Sequence, residues 1–320
     1  MKNLIYLLFC FSTFGFSQIA GNEQIQGLID NKKLSEAESL AKTRVASSGN
    51  DYDAIEKLGD IAGHRKQWDE AIKYYKQLVD EVPQNANYHY KYGGALGMKA
   101  LTSSKLKALG LVGDIKKSFL SAASLDANHI DARWALVELY MQLPGIIGGS
   151  KKKSLKYADE LENLSKVDGY LAKGYIYEYD KEPELAEKYY KLAVAEGKSV
   201  NCYTKLSELY TNITKEPIKA IETIEEAQKL HQRNTLHYQI GKVCAIYNIE
   251  LDKGERCLQT FIENHTVKDG VPIEWAYYRL AQIYRYKGDK DNASDWIEKA
   301  LAKRSNFKQA LEEKALIRAL

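Results

Sequence analysis

The chain has 320 residues, of which 28% are charged, and its formal net charge is +3 at pH 7. This near balance of charge gives no support for nucleic-acid binding, because proteins that bind nucleic acids normally carry a clustered basic face. A chain of this length would usually predict two domains, but an array of repeats grows lengthwise and avoids that expectation.

The first seventeen residues, 1–17, predict a secretory signal peptide. Lys2 supplies a positive start, Leu4 to Phe16 is almost wholly apolar, and polar sequence returns at Ser17. The apolar run is shorter than the roughly 20 residues that a membrane-spanning helix needs, although a transmembrane anchor remains the alternative. We therefore expect an exported protein, either periplasmic or secreted, without a membrane span.

Three cysteines follow the predicted signal peptide: Cys202, Cys244 and Cys257. An odd number is not a disulfide framework, so we expect them to behave as small buried apolar residues. A disulfide between Cys244 and Cys257 is the alternative, because these two residues fall on the two helices of one predicted hairpin.

Residues 18–50 predict a short N-terminal helical hairpin. Leu28 lies in its first half, and Ala37 and Ala41 lie four positions apart in its second half. A spacing of four positions puts two residues on one face of a helix.

From residue 51 onward, a large apolar residue followed by a small one recurs with a fixed period. Gly59 and Gly93 stand 34 positions apart, and so do Ser207 and Gly241. A period of this length predicts stacked units of two helices, none of which can bury its apolar face alone.

The unit from Tyr52 to Asn85 shows the pattern most fully. Its first apolar stripe has the spacing of a helix with one buried face, a polar turn follows, and Pro83 ends the unit after a second stripe. The two stripes consist of Ile55, Leu58, Gly59 and Ala62, and of Ala71, Tyr74, Tyr75 and Leu78.

This pattern resembles the tetratricopeptide repeat, and the resemblance covers nearly the whole chain after the predicted signal peptide. It implies an all-α fold, an α-solenoid in which antiparallel helix pairs form a right-handed superhelix. About seven units over residues 51–305 are expected, followed by a capping helix over 306–320. Insertions near 97–113 and 143–150 add about ten and about five residues, and such additions map to loops on one face of a solenoid.

The second insertion is rich in glycine and is followed by lysines, which invites comparison with a phosphate-binding loop. It lacks the Gly-Lys-Ser/Thr ending of that loop, and no strand is predicted before it. We therefore expect a structural loop, with Ser150 as a helix N-cap and with Ile146 and Ile147 covering the repeat core. An adventitious anion site at this loop is the alternative.

No pattern of catalytic or metal-binding residues stands out. The six histidines include no pair four positions apart and no HExxH sequence, and no Gly-x-Ser-x-Gly sequence is present. These are the spacings that zinc sites and serine hydrolases require. We expect no enzyme activity, no metal and no cofactor.

The resemblance implies that the first helix of each unit lines a concave groove. Tyrosine offers large and stiff contact area, and the chain has 23 tyrosines against 7 phenylalanines. In the register of the repeat, the inward side chains are acidic in the first units, with Asp53, Glu56 and Asp60, and basic in the last. The predicted partner-binding residues are Tyr90, Trp134, Glu138, Tyr175, Tyr179, Tyr238, Lys242, Trp275, Tyr278, Arg279 and Arg285.

We therefore expect a non-enzymatic scaffold of the cell envelope that binds a protein or an extended peptide in this groove. The alternatives are a small-molecule or glycan binder that uses the same aromatic residues, and an architectural spacer that binds through its convex face. Asp60, Gly94 and Glu138 stand where a clamp for a C-terminal carboxylate would need asparagine or lysine. Recognition of chaperone tails is therefore not expected, and the oligomeric state stays open.

Overall fold

The computed structural model describes residues 21–320, and within that range every regular element is helical. The predicted signal peptide, residues 1–17, lies outside the described residues. Residues 21–30 form helix α1. Sixteen α-helices follow it: α2 Leu34–Ser47, α3 Tyr52–His64, α4 Trp68–Glu81, α5 Ala86–Leu101, α6 Lys105–Leu125, α7 Ile130–Gln142, α8 Lys151–Leu164, α9 Lys166–Tyr179, α10 Pro183–Gly197, α11 Val200–Leu209, α12 Pro217–His231, α13 Asn234–Tyr247, α14 Leu251–Glu263, α15 Ile273–Tyr286, α16 Lys290–Lys303 and α17 Lys308–Arg318.

The described residues divide into two compact units: unit 1 ends at Glu160, and unit 2 is Leu161–Leu320, with the boundary inside α8. In unit 1, α3 packs on α4 and α5 on α6. In unit 2, the pairs are α9 with α10, α11 with α12, α13 with α14, and α15 with α16. Each second helix also contacts the first helix of the next pair, as α4 contacts α5 and α10 contacts α11. The predicted all-α arrangement of helix pairs is confirmed.

A small residue on each first helix allows the two helices of a pair to approach closely. A Cβ atom added at Gly59 would lie 2.5 Å from Cε1 of Tyr75, and one added at Gly174 would overlap the Tyr190 ring. Both rings come from the second helix of the same pair and are buried. A Cβ added at Gly241 would instead lie 2.4 Å from Leu258. The recurring small residue therefore marks the place where a large side chain of the second helix meets the first.

The residues near 97–113 form the end of α5, a short turn and the first part of α6, which has 21 residues. The described helices between residues 21 and 320 include none with the length and apolar character that a membrane crossing requires.

The loop at 143–150 contains one turn of 3₁₀ helix, Gly145–Ile147. Its backbone folds back on α7, because the Ser150 amide donates to the Tyr140 carbonyl at 2.8 Å. Ser150 caps α8 as expected, and its hydroxyl accepts a hydrogen bond from the Lys153 amide at 3.3 Å. The expectation for Ile146 was wrong: its side chain is 96% exposed and covers no core.

Candidate functional site

The first helices of successive pairs lie beside one another. In unit 1, α5 contacts α7, and in unit 2, α9 contacts α11, α13 contacts α15, and α15 contacts α17. We call the face formed by the first helices within each unit the first-helix surface.

In unit 1, charged side chains bridge α3 and α5 on this surface. The Lys91 ammonium lies 2.6 Å from Glu56 Oε1 and 2.6 Å from Asp60 Oδ1, and the Tyr75 hydroxyl donates to Asp60 at 2.7 Å. Burial lowers the pKa of Lys91, but its attraction to Asp60 and Glu56 outweighs burial, so the pKa is raised. Two carboxylates of the predicted acidic start of the groove, Glu56 and Asp60, are therefore bound by a lysine of α5, the next first helix.

Asp53 belongs to the same arrangement, because Asn22 of α1 donates a hydrogen bond to its carboxylate at 2.7 Å. Lys57 of α3 donates to Gln26 of α1 at 2.6 Å. Polar side chains of α1, α3 and α5 therefore bind one another.

The three other predicted residues of unit 1 lie on α5 and α7. The Tyr90 ring is half-buried against Phe119, at 6.1 Å between centroids, and against His129, at 5.1 Å. Burial and the Asp131 carboxylate raise the pKa of Tyr90. Trp134 is partly buried on α7, and Glu138 is exposed one turn later.

Helix α9 of unit 2 presents the most accessible predicted ring. The Tyr179 side chain is 50% exposed, and its ring centroid lies 6.1 Å from that of Tyr175. Beside them, Glu178 accepts a hydrogen bond from the Tyr190 hydroxyl at 2.7 Å. The structure therefore brings these two predicted tyrosines together at the end of α9.

Helices α11 and α13 continue this surface. Gln239 donates to the Thr204 hydroxyl at 3.5 Å, and Lys242 is partly buried on α13. Tyr238 does not join this surface: it is 8% exposed, and its ring packs on Phe261 of α14 at 5.3 Å. Its assignment to an accessible groove was therefore wrong, because the second helix of its pair covers the ring.

Two aromatic residues of α15, Trp275 and Tyr278, are covered by the segment that follows α16. Phe307, at the start of α17, lies 4.5 Å from the Trp275 ring and 5.4 Å from the Tyr278 ring. Tyr278 is only 8% exposed and forms part of a core cluster with Phe307. Its predicted role as contact area is therefore wrong, and Trp275 and Tyr278 hold α17 in place.

A polar network adjoins this aromatic cluster. The buried Glu313 carboxylate of α17 pairs with Arg285 and accepts a hydrogen bond from Gln282 at 3.2 Å. Gln282 also donates to the Tyr278 hydroxyl at 2.9 Å and accepts from Arg279 at 2.7 Å. The predicted basic residues Arg279 and Arg285 therefore bind partners within the chain.

The sequence analysis missed Gln282, Phe307 and Glu313. A signal for α17 was present, since Phe307, Ala310 and Ile317 have helical spacing and are all buried. Leu316 of the same helix is exposed.

Within residues 21–320, which the structure describes, no three His, Cys, Asp or Glu side chains come together in a way that could hold a metal ion. Cys202, Cys244 and Cys257 are free thiols. Burial raises the pKa of Cys244 to about 12, with a further contribution from Cys257. The Cys244 thiol is therefore protonated at neutral pH and is a poor nucleophile.

Comparisons with known proteins agree with this architecture. Family models described as tetratricopeptide repeat match residues 53–85, 167–195 and 276–302. A comparison with curated protein sequences returns no match.

Two solved structures resemble the chain in fold. A tetratricopeptide repeat protein from Parabacteroides merdae ATCC 43184 is similar with a TM-score of 0.52 and 14% sequence identity, over 94% of this chain and 99% of that chain. TTC0263, a thermophilic TPR protein from Thermus thermophilus, is similar with a TM-score of 0.51 and 12% identity, over 61% of this chain and 99% of that chain. The repeating residue pattern, the three matched segments and the shared fold together identify the chain as a tetratricopeptide repeat protein.

Proposed function

We propose that the chain is a non-enzymatic scaffold that binds a protein or an extended peptide on the first-helix surface of α9, α11 and α13. Tetratricopeptide repeat proteins are in general non-catalytic scaffolds for interactions between proteins. The observation that carries the proposal is the half-exposed Tyr179 ring beside Tyr175.

A tyrosine pair of this kind suits peptide binding for a physical reason. A tyrosine side chain buries a large area and loses little conformational freedom, because it has only two side-chain torsions. Tyr175 is already held at one edge by Tyr179, and Glu178 beside them is fixed by Tyr190. A partner that packs on this pair therefore meets a preorganised site.

The following first helices, α11 and α13, carry charges of both signs that could orient a peptide. Lys205 and Glu208 of α11 pair at 3.2 Å, and Lys242 lies on α13. Electrostatic complementarity controls orientation and partner choice more than it controls affinity. We propose that these residues set the direction in which an extended peptide lies.

The proposal includes a location in the cell envelope, as a periplasmic or secreted protein. It is supported by the apolar run that follows Lys2 and by the return to polar sequence at Ser17. N-terminal sequencing of the protein recovered from the envelope fraction would test this part, because it predicts a start close to residue 18.

The groove is tested with peptides selected from a random library displayed on phage. We expect Tyr179→Ala combined with Tyr175→Ala to weaken binding about 30-fold, as the loss of a hot spot of about 2 kcal/mol would. Leu230→Ala on α12, a second helix, is the matched control, because Leu230 is as exposed as Tyr179. Binding is measured by titration calorimetry, and helicity by circular dichroism.

Two outcomes would count against the peptide site. Unchanged affinity in the double variant would remove the tyrosines from the binding surface. Thermal stabilisation by free oligosaccharides, together with a failure to select peptides, would instead favour a glycan-binding role for the same rings.

A further inference from the structure

Exposed leucines gather at one place in unit 1, the hairpin between α5 and α6. Leu101 is 73% exposed and Leu106 is 81% exposed, and Met98 and Leu109 are also exposed. We call residues 98–112 the tip. A group of large exposed apolar side chains marks an interaction site more often than isolated ones do.

The tip extends beyond its neighbour in unit 1. The Lys116 ammonium of α6 lies 5.9 Å from the Tyr140 ring, near the end of α7, and close to Gly148 in the α7–α8 loop. Helix α6 begins eleven residues earlier, at Lys105. At 1.5 Å per residue, α6 therefore extends roughly 16 Å past the end of α7.

The tip itself carries mainly positive charge, although Asp69 and Glu70 of α4 line the same surface depression as Lys107. Residues 97–117 contain five lysines and one acidic residue, Asp114. Among the described residues, Lys105 and Lys107 form no ion pair, whereas Lys99 is paired with Asp69. The exposed leucines therefore stand beside lysines whose charge is not neutralised.

The α7–α8 loop and the start of α8 also combine lysines with an exposed apolar side chain, although Lys156 lies 3.6 Å from Glu160. Residues 143–156 contain four lysines and no acidic residue. Ile146 at the top of this loop is almost fully exposed. The Lys153 ammonium lies 5.4 Å from the same Tyr140 ring that Lys116 approaches, so the basic parts of α6 and α8 adjoin.

We infer that the tip and the α7–α8 loop dock on the surface of an anionic phospholipid bilayer. The leucines and Ile146 would enter the boundary between headgroups and acyl chains, while the lysines would face the lipid phosphates. Lysine beside exposed leucine is the composition of helices that lie on membrane surfaces.

The same composition argues against a protein partner at this place. Binding hot spots between proteins are enriched in tryptophan, tyrosine and arginine, and lysine is depleted there. Residues 97–117 contain no aromatic residue and no arginine. This surface is distinct from the tyrosines proposed for peptide binding, so either proposal can fail without the other.

The test places a reporter at the tip of the full chain. Leu106→Trp introduces an indole there, and Leu316→Trp on α17 introduces one at an exposed leucine away from the tip. Each variant is titrated with vesicles whose acyl chains carry bromine, which quenches indole fluorescence on contact. The vesicles contain phosphatidylcholine alone or phosphatidylcholine with phosphatidylglycerol. Bromine quenches an indole only on contact, so the comparison of positions 106 and 316 reports which part of the chain touches the lipid, whatever residues 1–20 do.

We expect the anionic vesicles to quench the Leu106→Trp indole, and to quench the Leu316→Trp indole much less. Adding Lys105→Glu and Lys107→Glu should raise the lipid concentration for half quenching by at least about 30-fold, since each lysine near an anionic surface contributes a factor of roughly five. The same charge reversals at Lys229 and Lys303, which are exposed elsewhere, should have little effect.

Three results would overturn the inference. Equal quenching of the two indoles would show that the tip does not insert. Equal quenching by neutral and anionic vesicles would remove the role of the lysines. Loss of a protein partner on Leu106→Ser, with vesicle binding unchanged, would assign the tip to that protein.

Discussion

Helices α9 and α15 hold the same place in two repeats of unit 2, yet their first-helix surfaces differ. In α15, the Tyr278 ring packs on Phe307, at the start of α17, and Arg285 forms an ion pair with Glu313 of α17. In α9, Tyr179 remains half exposed. The difference teaches that a residue of a first helix is available to a partner only where the next helix supplies nothing to cover it.

The largest expected effect comes from removing the ring that covers α15. Phe307 is fully buried between Trp275 and Tyr278. We expect Phe307→Ala to lower the free energy for opening α15–α17 by about 3–5 kcal/mol, because it leaves a cavity in a packed core. Amide hydrogen exchange of these helices measures the change. Tyr179→Ala on α9 is the control and should cost less than about 0.5 kcal/mol.

The polar network gives the next effect. Glu313→Ala leaves the Arg285 guanidinium and the Gln282 amide without their acceptor. We expect a loss of about 2–3 kcal/mol, the range for hydrogen bonds to charged groups. Glu312→Ala removes an exposed carboxylate of the same helix and should cost less than about 0.5 kcal/mol. Equal losses in urea unfolding would show that α17 is not held by this network.

The third prediction concerns the small residue that packs against the second helix, which is Gly174 in α9 and Ala281 in α15. We expect Gly174→Ala to destabilise the chain by about 1–2 kcal/mol, because the new Cβ overlaps the Tyr190 ring. Helix α15 carries Ala281 at this position, and Ile297 packs near it where α10 has Tyr190.

The double variant Gly174→Ala with Tyr190→Ile copies the α15 pair. It should recover most of the loss, although it also removes the Tyr190–Glu178 hydrogen bond. A double-mutant cycle measured by urea unfolding checks this. If the stability losses of Gly174→Ala and Tyr190→Ile simply add in the double variant, the Tyr190 ring is not the reason why position 174 needs glycine.

The smallest effect is a change in how stability depends on pH, and it concerns Glu255 of α14, which binds Tyr284 of α15. Burial raises the pKa of Glu255, but hydrogen bonds from Lys287 and Tyr284 outweigh it, so the pKa is lowered. The stability from this carboxylate is therefore present above its unfolded pKa of about 4.3 and is lost as the pH falls below that value.

We expect Glu255→Gln to reduce the fall in urea midpoint between about pH 5 and pH 3. An identical pH dependence in the wild type and in Glu255→Gln would contradict the role of Glu255.

The sequence predicted the helix pairs well, because their signal is local. Gly59 and Gly174 recur at a fixed place, and each meets a ring of its own pair, Tyr75 or Tyr190. The outcome for Tyr278 could not be predicted in the same way, because its burial depends on Phe307, which lies 29 positions later.

The charged residues teach the same lesson. The repeat register placed Glu56 and Asp60 on the first-helix surface, but it did not reveal that Lys91 of the next helix binds both. Register gives the face of a helix on which a side chain lies. Whether that side chain is free depends on the residues that the adjacent repeat brings to it.

The central claim is that α9 is open to a partner and that α15 is not. Photo-crosslinking in the native cell tests it most directly, with benzoylphenylalanine in place of Tyr179, of Tyr286 at the matching place in α15, or of Leu230 on α12. We predict a strong crosslink to a partner protein from position 179 and weak or no crosslinks from positions 286 and 230. Crosslinks from 286 or 230 that equal or exceed the one from 179 would contradict the account.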